Sequence, residues 1–287
     1  MEVQYDGSVY SLFSILDKVF TENKLPEKII RTDYELSCNT DMPLFFEQEQ
    51  SFFVQKPKAL VPCSSAYNYF NPCKKSLSGQ EIIKYSGRAY KDILYAWMSE
   101  LPIEREIINF AWKIVSAGKM DEDIPKKSKS AEKARNDLAD PDVKKVINAA
   151  SKARGESHFF MGILRFTIGP SNVPIAKCSP DHFILPTLAH YFTLRFGNSN
   201  WAIIDEKRNI SLVRAEAEPA KLVIFDPADT WVEEETYSGK EGFDVWEKMW
   251  KNYHTSINNE SRSNPNLQRS FIPVRYWKYL PELNDKT

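Results

Sequence analysis

A chain of 287 residues, 42% hydrophobic and 27% charged, has enough apolar material to bury a core as one large domain or two modest ones. Its formal net charge of -1 excludes a global attraction to polyanions, so any nucleic-acid surface must be a local patch. No apolar run reaches membrane-spanning length, and the opening MEVQYDGSVY is too polar for a signal peptide, so a cytoplasmic chain without membrane partners is expected.

In chain order, VQYD predicts a short strand and DGS a turn into a helix. Val9, Leu12, Phe13, Leu16, Val19 and Phe20 trace one face of that amphipathic helix, which ends between Asn23 and Pro26. Residues 27–80 lack a sustained period. LFFEQEQSFFVQ carries strand-like apolar pairs and VPCSSAYNYFNPCKK is rich in turn formers, which predicts an irregular region with one or two short strands. SGRAYKDILYAWMSEL and PIEREIINFAWKIVSAG both show helical spacing, separated at Pro102 and closed at Gly118. KMDEDIPKKSKSAEKARNDLADP has few apolar anchors and reads as a solvated connector or a poorly packed helix. It joins a mainly helical region, 1–139, to a second region, 140–287. Asp140-Pro141 then caps a helix running toward His158.

Beyond that helix the apolar period falls to two. ILRFTIG, VPIAKC, WAIIDEK, NISLVRA and AKLVIFD are short β-branched runs separated by turn formers, and they predict an antiparallel sheet of meanders. PDHFILPTLAHYFTLRFG, between the second and third runs, starts with Pro and ends with Gly like a helix. GFDVWEKMWKNYHTSI predicts a last helix. The fold class is α+β, with helices mainly in the N-terminal half and an antiparallel sheet with flanking helices in the C-terminal half.

Three enzyme signatures are missing: GxGxxG after a strand, the GxxxxGK[ST] phosphate loop and the GxSxG elbow. Cys38, Cys63, Cys73 and Cys178 form no CxxC pair, so reduced thiols, no metal and no cofactor are expected. A polar constellation remains in residues 156–208. It holds His158, His182 and His190, the carboxylates Glu156, Asp181 and Asp205, and Arg165, Arg195 and Arg208. His182 and His190 are eight residues apart, roughly 12 Å along a helix, too far to share one metal. Glu156, His158, Asp181 and His182 are the candidates for acid–base chemistry. If Pro180 opens a helix, Asp181 and His182 sit at its positive end, where a phosphate could bind, although Ser179 or Asp181 capping that helix is the simpler account.

The C-terminal stretch NPNLQRSFIPVRYWKYLP interleaves Arg269, Arg275 and Lys278 with Phe271, Tyr276, Trp277 and Tyr279 and contains no carboxylate. Such a stretch can line a nucleic-acid strand or dock on a core with its charged heads in water. Docking is expected for Trp277. Arg262, Arg269, Arg275 and Lys278, with Arg165, Arg195 and Arg208, are the candidates for phosphate contacts.

GESHFFMGILRF, PDHFILPTLAHYFTLRF followed by WAIIDEKR, and NPNLQRSFIPVRYWKYLPE together resemble a family of bacterial DNA metabolism proteins that share a domain of unknown function. YDGSVYSLFSILDKVF resembles that family's opening. The resemblance implies a DNA-linked role beside a radical S-adenosylmethionine protein, in a family with members fused to a uracil-DNA glycosylase-like module. It carries over no catalytic mechanism. The expected partners are DNA and that radical enzyme. The alternatives are an enzyme acting on nucleic acid or nucleotide through a His/carboxylate pair, and a protein-interaction module without nucleic-acid binding.

Overall fold

In the computed structural model, strand β1 (Glu2–Tyr5) alternates exposed and buried residues, as a strand with one covered face must. The structure describes residues 1–31, 59–60, 69–121, 128–168, 173–215, 218–224 and 241–284. They belong to two units: Met1–Met42, Asn68–Glu156 and Asp181–Ile184 make the first, and Pro43–Tyr67, Ser157–Pro180 and Leu185–Thr287 the second.

In the first unit, β1 pairs in parallel with β2 (Lys28–Arg31), and helix α1 (Val9–Glu22) supplies the crossover that parallel strands require. The Ser8 hydroxyl accepts from the Ser11 N–H at 3.0 Å to cap α1, and Asn23 ends it in the left-handed region at φ 51°. Val9, Leu12, Phe13, Leu16 and Val19 are buried on the face the spacing predicts, joined by Ile15.

Two short helices, α2 (Asn71–Lys75) and α3 (Leu77–Tyr85), occupy a stretch expected to be irregular up to about residue 80. Ser76 starts α3, its hydroxyl accepting from the Gly79 N–H at 3.0 Å. A Cβ on Gly79 would lie 1.9 Å from the Cys73 carbonyl oxygen, so only glycine permits that packed turn. Cys73 itself is buried, and burial pushes its thiol up to about 12. Cys178 is buried as well, its thiol 3.4 Å from the Ile204 carbonyl, whereas Cys38 and Cys63 lie outside the described residues.

Helices α4 (Gly87–Met98) and α5 (Glu104–Lys119) follow as predicted. Gly118 does not close α5, which runs to Lys119. A Cβ at Gly118 would come within 2.3 Å of the Tyr85 ring, so the glycine serves the close approach of α3 to α5. The described part of the charged connector is not loosely packed. It forms α6 (Lys129–Arg135) with Ala131 fully buried.

Helix α7 (Pro141–Ile163) begins where Asp140-Pro141 predicts, with Asp140 accepting from the Asp142 and Val143 N–H groups. Lys113 of α5 donates to Asp140 at 2.5 Å and Asp142 at 2.9 Å. Asp92 of α4, 1% exposed, accepts from Arg135 Nε and Arg154 Nη2 at 2.6 Å each, tying α4 to α6 and α7.

The second unit is built on a six-stranded sheet. Its strands are β3 (Ala59–Leu60), β4 (Thr167–Ile168), β5 (Pro174–Cys178), β6 (Trp201–Asp205), β7 (Ile210–Arg214) and β8 (Lys221–Ile224), in the order β3-β8-β7-β6-β5-β4. The α+β class is as expected, but the sheet is not antiparallel throughout. β5 and β6 run parallel, in register from Ile175↔Ala202 to Cys178↔Asp205. The chain between them makes helix α8 (Leu185–Phe196), and a helical crossover returns the next strand in the same direction. The ILRFTIG strand shrinks to Thr167–Ile168 because α7 continues to Ile163. The GPSN turn lies outside the described residues.

Every residue of β6 is buried, as a central strand covered on both faces requires. Phe192 of α8 packs 6.1 Å from the Trp201 ring, and Val173, Ile175, Ala202 and Ile204 form a separate cluster. The chain finishes with α9 (Glu241–Ile257), a 3-10 turn at Glu260–Arg262, α10 (Pro265–Phe271), a second 3-10 segment at Val274–Tyr279 and α11 (Pro281–Asn284).

Candidate functional site

The residues nominated for acid–base work meet in part. The Glu156 carboxylate, on α7, accepts the Asp181 N–H on Oε1 and the His182 N–H on Oε2, each at 2.8 Å. His182 Nδ1 lies 3.1 Å from the Ser99 carbonyl. A carbonyl only accepts, so Nδ1 carries the proton in this bond. The Phe183 N–H donates to the Met98 carbonyl at 2.9 Å. Glu156 thus fastens Asp181–Ile184 to α7, and His182 and Phe183 fasten it to the end of α4.

This geometry corrects the expected anion site. Helix α8 starts at Leu185, so Asp181 and His182 precede it rather than open it. Their backbone donors already hold an anion, the Glu156 carboxylate. Replacing Glu156 with Ala should cost about 1 kcal/mol, because one exposed and one part-buried N–H lose a charged acceptor. Urea melts of the variant check this, and an unchanged midpoint would contradict the anchoring role.

The anchored segment places Phe183 in a cleft of about 130 Å³ lined by Tyr5, Gly7, Trp97, Glu100, Leu101, Glu104, Ile107 and Phe183. Trp97 Nε1 donates to Tyr5 Oη at 3.2 Å and to the Gly7 carbonyl at 3.1 Å. Phe183 meets the Trp97 ring edge to face at 5.8 Å, and Tyr69 stacks against Trp97 at 6.4 Å. Glu100 holds a left-handed φ of 57°, uncommon outside glycine. Sequence reading missed this cleft. Its walls come from positions 5 to 183, and no local period joins them.

The other nominated groups belong to the second unit. His158 on α7 and His190 on α8 are exposed. Arg165 reaches Glu282 Oε1 through Nε at 3.1 Å and Nη2 at 2.8 Å, donates to the Gly162 and Ile163 carbonyls, and lies over the Trp250 ring at 4.9 Å. Burial raises the Glu282 carboxyl, but its own backbone N–H, Trp250 Nε1 and Arg165 outweigh that and hold it below the ordinary value. Arg208 donates to Asp205 Oδ2 at 2.7 Å and the Pro180 carbonyl at 3.1 Å. Burial pushes the Asp205 carboxyl up, against the pull of Arg208. Arg165 and Arg208 are therefore engaged in holding the unit together. Arg195, in the last turn of α8, is exposed.

The C-terminal stretch separates as its chemistry suggests. Tyr276 and Trp277 are buried, and Trp277 Nε1 donates to the Ile272 carbonyl at 2.8 Å. Arg262, Arg269, Arg275 and Lys278 are exposed. Arg275 stacks on the Tyr276 ring at 4.7 Å, and Lys278 lies 3.5 Å from Glu206. Arg262 and Arg269 have no ion-pair partner among the described residues, and Phe271, two positions after Arg269 in sequence, is 69% exposed. Among the described residues, no group of three or more His, Cys, Asp or Glu is placed to hold a metal ion, and no helix is long and apolar enough to cross a membrane.

Residues 122–282 match a family model described as a domain of unknown function, DUF4130. No curated protein and no solved structure matches the chain.

Proposed function

We propose, on the premise that this chain belongs to the DUF4130 family of domains of unknown function, that it is a nucleic-acid-binding accessory protein of DNA metabolism. In this reading it presents DNA to a partner enzyme of the radical S-adenosylmethionine type. The observation that carries the reading is that Arg262 and Arg269, without ion-pair partners among the described residues, and the Phe271 ring are all exposed within one C-terminal stretch. Cations of this kind attract phosphates, and a free ring offers a surface on which a base can stack. The resemblance to DNA metabolism proteins supports the choice of polyanion.

Binding should be weak, with little sequence preference, and should fall steeply as salt rises, because phosphate contacts release counterions. Fluorescence anisotropy with labelled single- and double-stranded oligonucleotides measures this. The double variant Arg262→Ala/Arg269→Ala should weaken binding to all sequences alike and reduce the salt slope by about 1 per lost contact. Salt-insensitive binding, or none at low salt, sinks the proposal. A pull-down from native extract, with and without nuclease, separates a direct enzyme partner from one bridged by DNA.

A second reading, docking on a partner protein, is favoured by a separate feature. Met249, Tyr253 and Ile257, spaced by four along α9, are 56%, 56% and 61% exposed. A partner retained after nuclease treatment and lost on Tyr253→Ser would support it.

A further inference from the structure

We infer that the outer face of α4, with the arginines that α6 and α7 bring to it, is a binding site for a phosphate group. Arg88, Lys91, Asp92 and Tyr95 stand at helical spacing on one face of α4. The buried Asp92 carboxylate draws Arg135 of α6 and Arg154 of α7 onto that face, each at 2.6 Å. The face thus carries two cations of its own and receives two more, all within the first unit.

Asp92 carries one negative charge and holds two guanidiniums, so part of their positive charge is unbalanced. Arg88 and Lys91 are exposed and have no ion-pair partner among the described residues. Glu132 of α6 accepts from the Ser86 hydroxyl at 2.6 Å and bonds to none of the four cations. Arg154 is the fixed point of the site. Asp92 holds its Nη2, and its guanidinium carbon lies over the Tyr95 ring, 4.9 Å from the centroid. The side chain is still 46% exposed, and its remaining N–H donors have no acceptor among the described residues. A guanidinium pinned in this way has already lost the freedom that binding an ion would otherwise take from it.

This chemistry selects phosphate among anions. A fixed guanidinium edge matches two oxygens of a tetrahedral oxyanion, and Arg88 and Lys91 supply charge for the others. A carboxylate, with two oxygens and one charge, leaves those cations unserved. A nucleic-acid backbone and a free phosphate both present the required group. The inference is independent of the DNA-binding proposal, which rests on the C-terminal stretch of the second unit.

The test titrates inorganic phosphate into the full chain at constant ionic strength, with acetate as the matched control, and follows the arginine Nε–H signals by NMR. The Arg154 signal should shift saturably, with phosphate bound at least about tenfold more tightly than acetate. Arg88→Ala/Lys91→Ala changes exposed residues and leaves the Asp92 clamp intact. It should weaken phosphate binding about tenfold while the melting curve stays in place. A second arm measures the same double variant with a labelled oligonucleotide. A salt slope reduced by about 2 makes the ligand a nucleic-acid phosphate. An unchanged slope, or no oligonucleotide binding at all, makes it a free phosphate and leaves the site standing. No saturable shift, an equal response to acetate, or a phosphate affinity untouched by the double variant would overturn the assignment.

Discussion

Replacing Trp277 with alanine is expected to lower the stability of the second unit by about 3–5 kcal/mol, the range for a buried large aromatic. The side chain is 5% exposed and packs with Leu280 and Leu283, with Ile163 and Ile272 against the cluster. Truncation would leave a cavity that these residues, on helices and a 3-10 segment, can fill only in part. It would also deprive the Ile272 carbonyl of the indole N–H. The matched control is Arg269→Ala, an exposed change expected to stay within about 0.5 kcal/mol while weakening DNA binding. Thermal and urea unfolding read both. An unmoved melting curve for the tryptophan variant would mean that the ring is not part of the core and would favour its use as a stacking platform.

Asp92→Ala should be nearly as damaging, at about 3 kcal/mol, because it breaks a buried ion pair from one side. The Asp92 side chain is 2% exposed and serves two guanidiniums, Arg135 at 16% exposure and Arg154 at 46%. Arg135 would be left with its charge largely out of water. Arg154 can turn to solvent, and it retains the Tyr95 ring at 4.9 Å, which places the loss at the lower end of the usual range. Asp92→Asn, which keeps the shape and removes the charge, should fall between. Lys145→Ala provides the contrast: its pair with Glu106 lies at the surface, with the lysine 59% exposed, and should be worth less than about 1 kcal/mol. If Asp92→Ala and Lys145→Ala unfold at the same midpoint, the buried clamp contributes nothing special.

Much of the fold is legible wherever a single element declares its own period. Val9 to Val19 mark α1, Asp140-Pro141 marks the start of α7, and the β-branched runs mark β5 to β8. What is not legible depends on partners distant in sequence. Alternation along PIAKC and WAIID tells which residues share a face but not whether the strands run together or opposed. That was decided by the crossover through α8. Helix α3 was hidden because NPCKKSLSGQ looks like a turn until Ser76 is seen capping it and Gly79 is seen against the Cys73 carbonyl.

The candidate sites divide in the same way. Burial of Trp277 and exposure of Arg269 follow from amphipathic chemistry within one segment. The nomination of Glu156 and His182 together is legible in the sequence, but the bond that joins them is not. The pair reads as chemistry in sequence and as anchoring in three dimensions. Arg165 and Arg208 look like free cations until Glu282 and Asp205 are placed beside them.

The brief excursion of Asp181–Ile184 into the first unit bears on how this protein can be cut and how it folds. A fragment ending at 156 would keep Glu156, Met98 and Ser99 but lose the backbone they bind. A fragment limited to 122–282 would carry Arg135 and Arg154 without Asp92. Neither obvious truncation encloses a complete set of partners. The bonds from residues 98 and 99 to 183 and 182 span more than eighty positions in sequence, and such distant pairings close late in folding, after the loop entropy between them has been spent. The first unit therefore matures only once the chain has passed Ile184, after residues 157–180 of the second unit have already been synthesised.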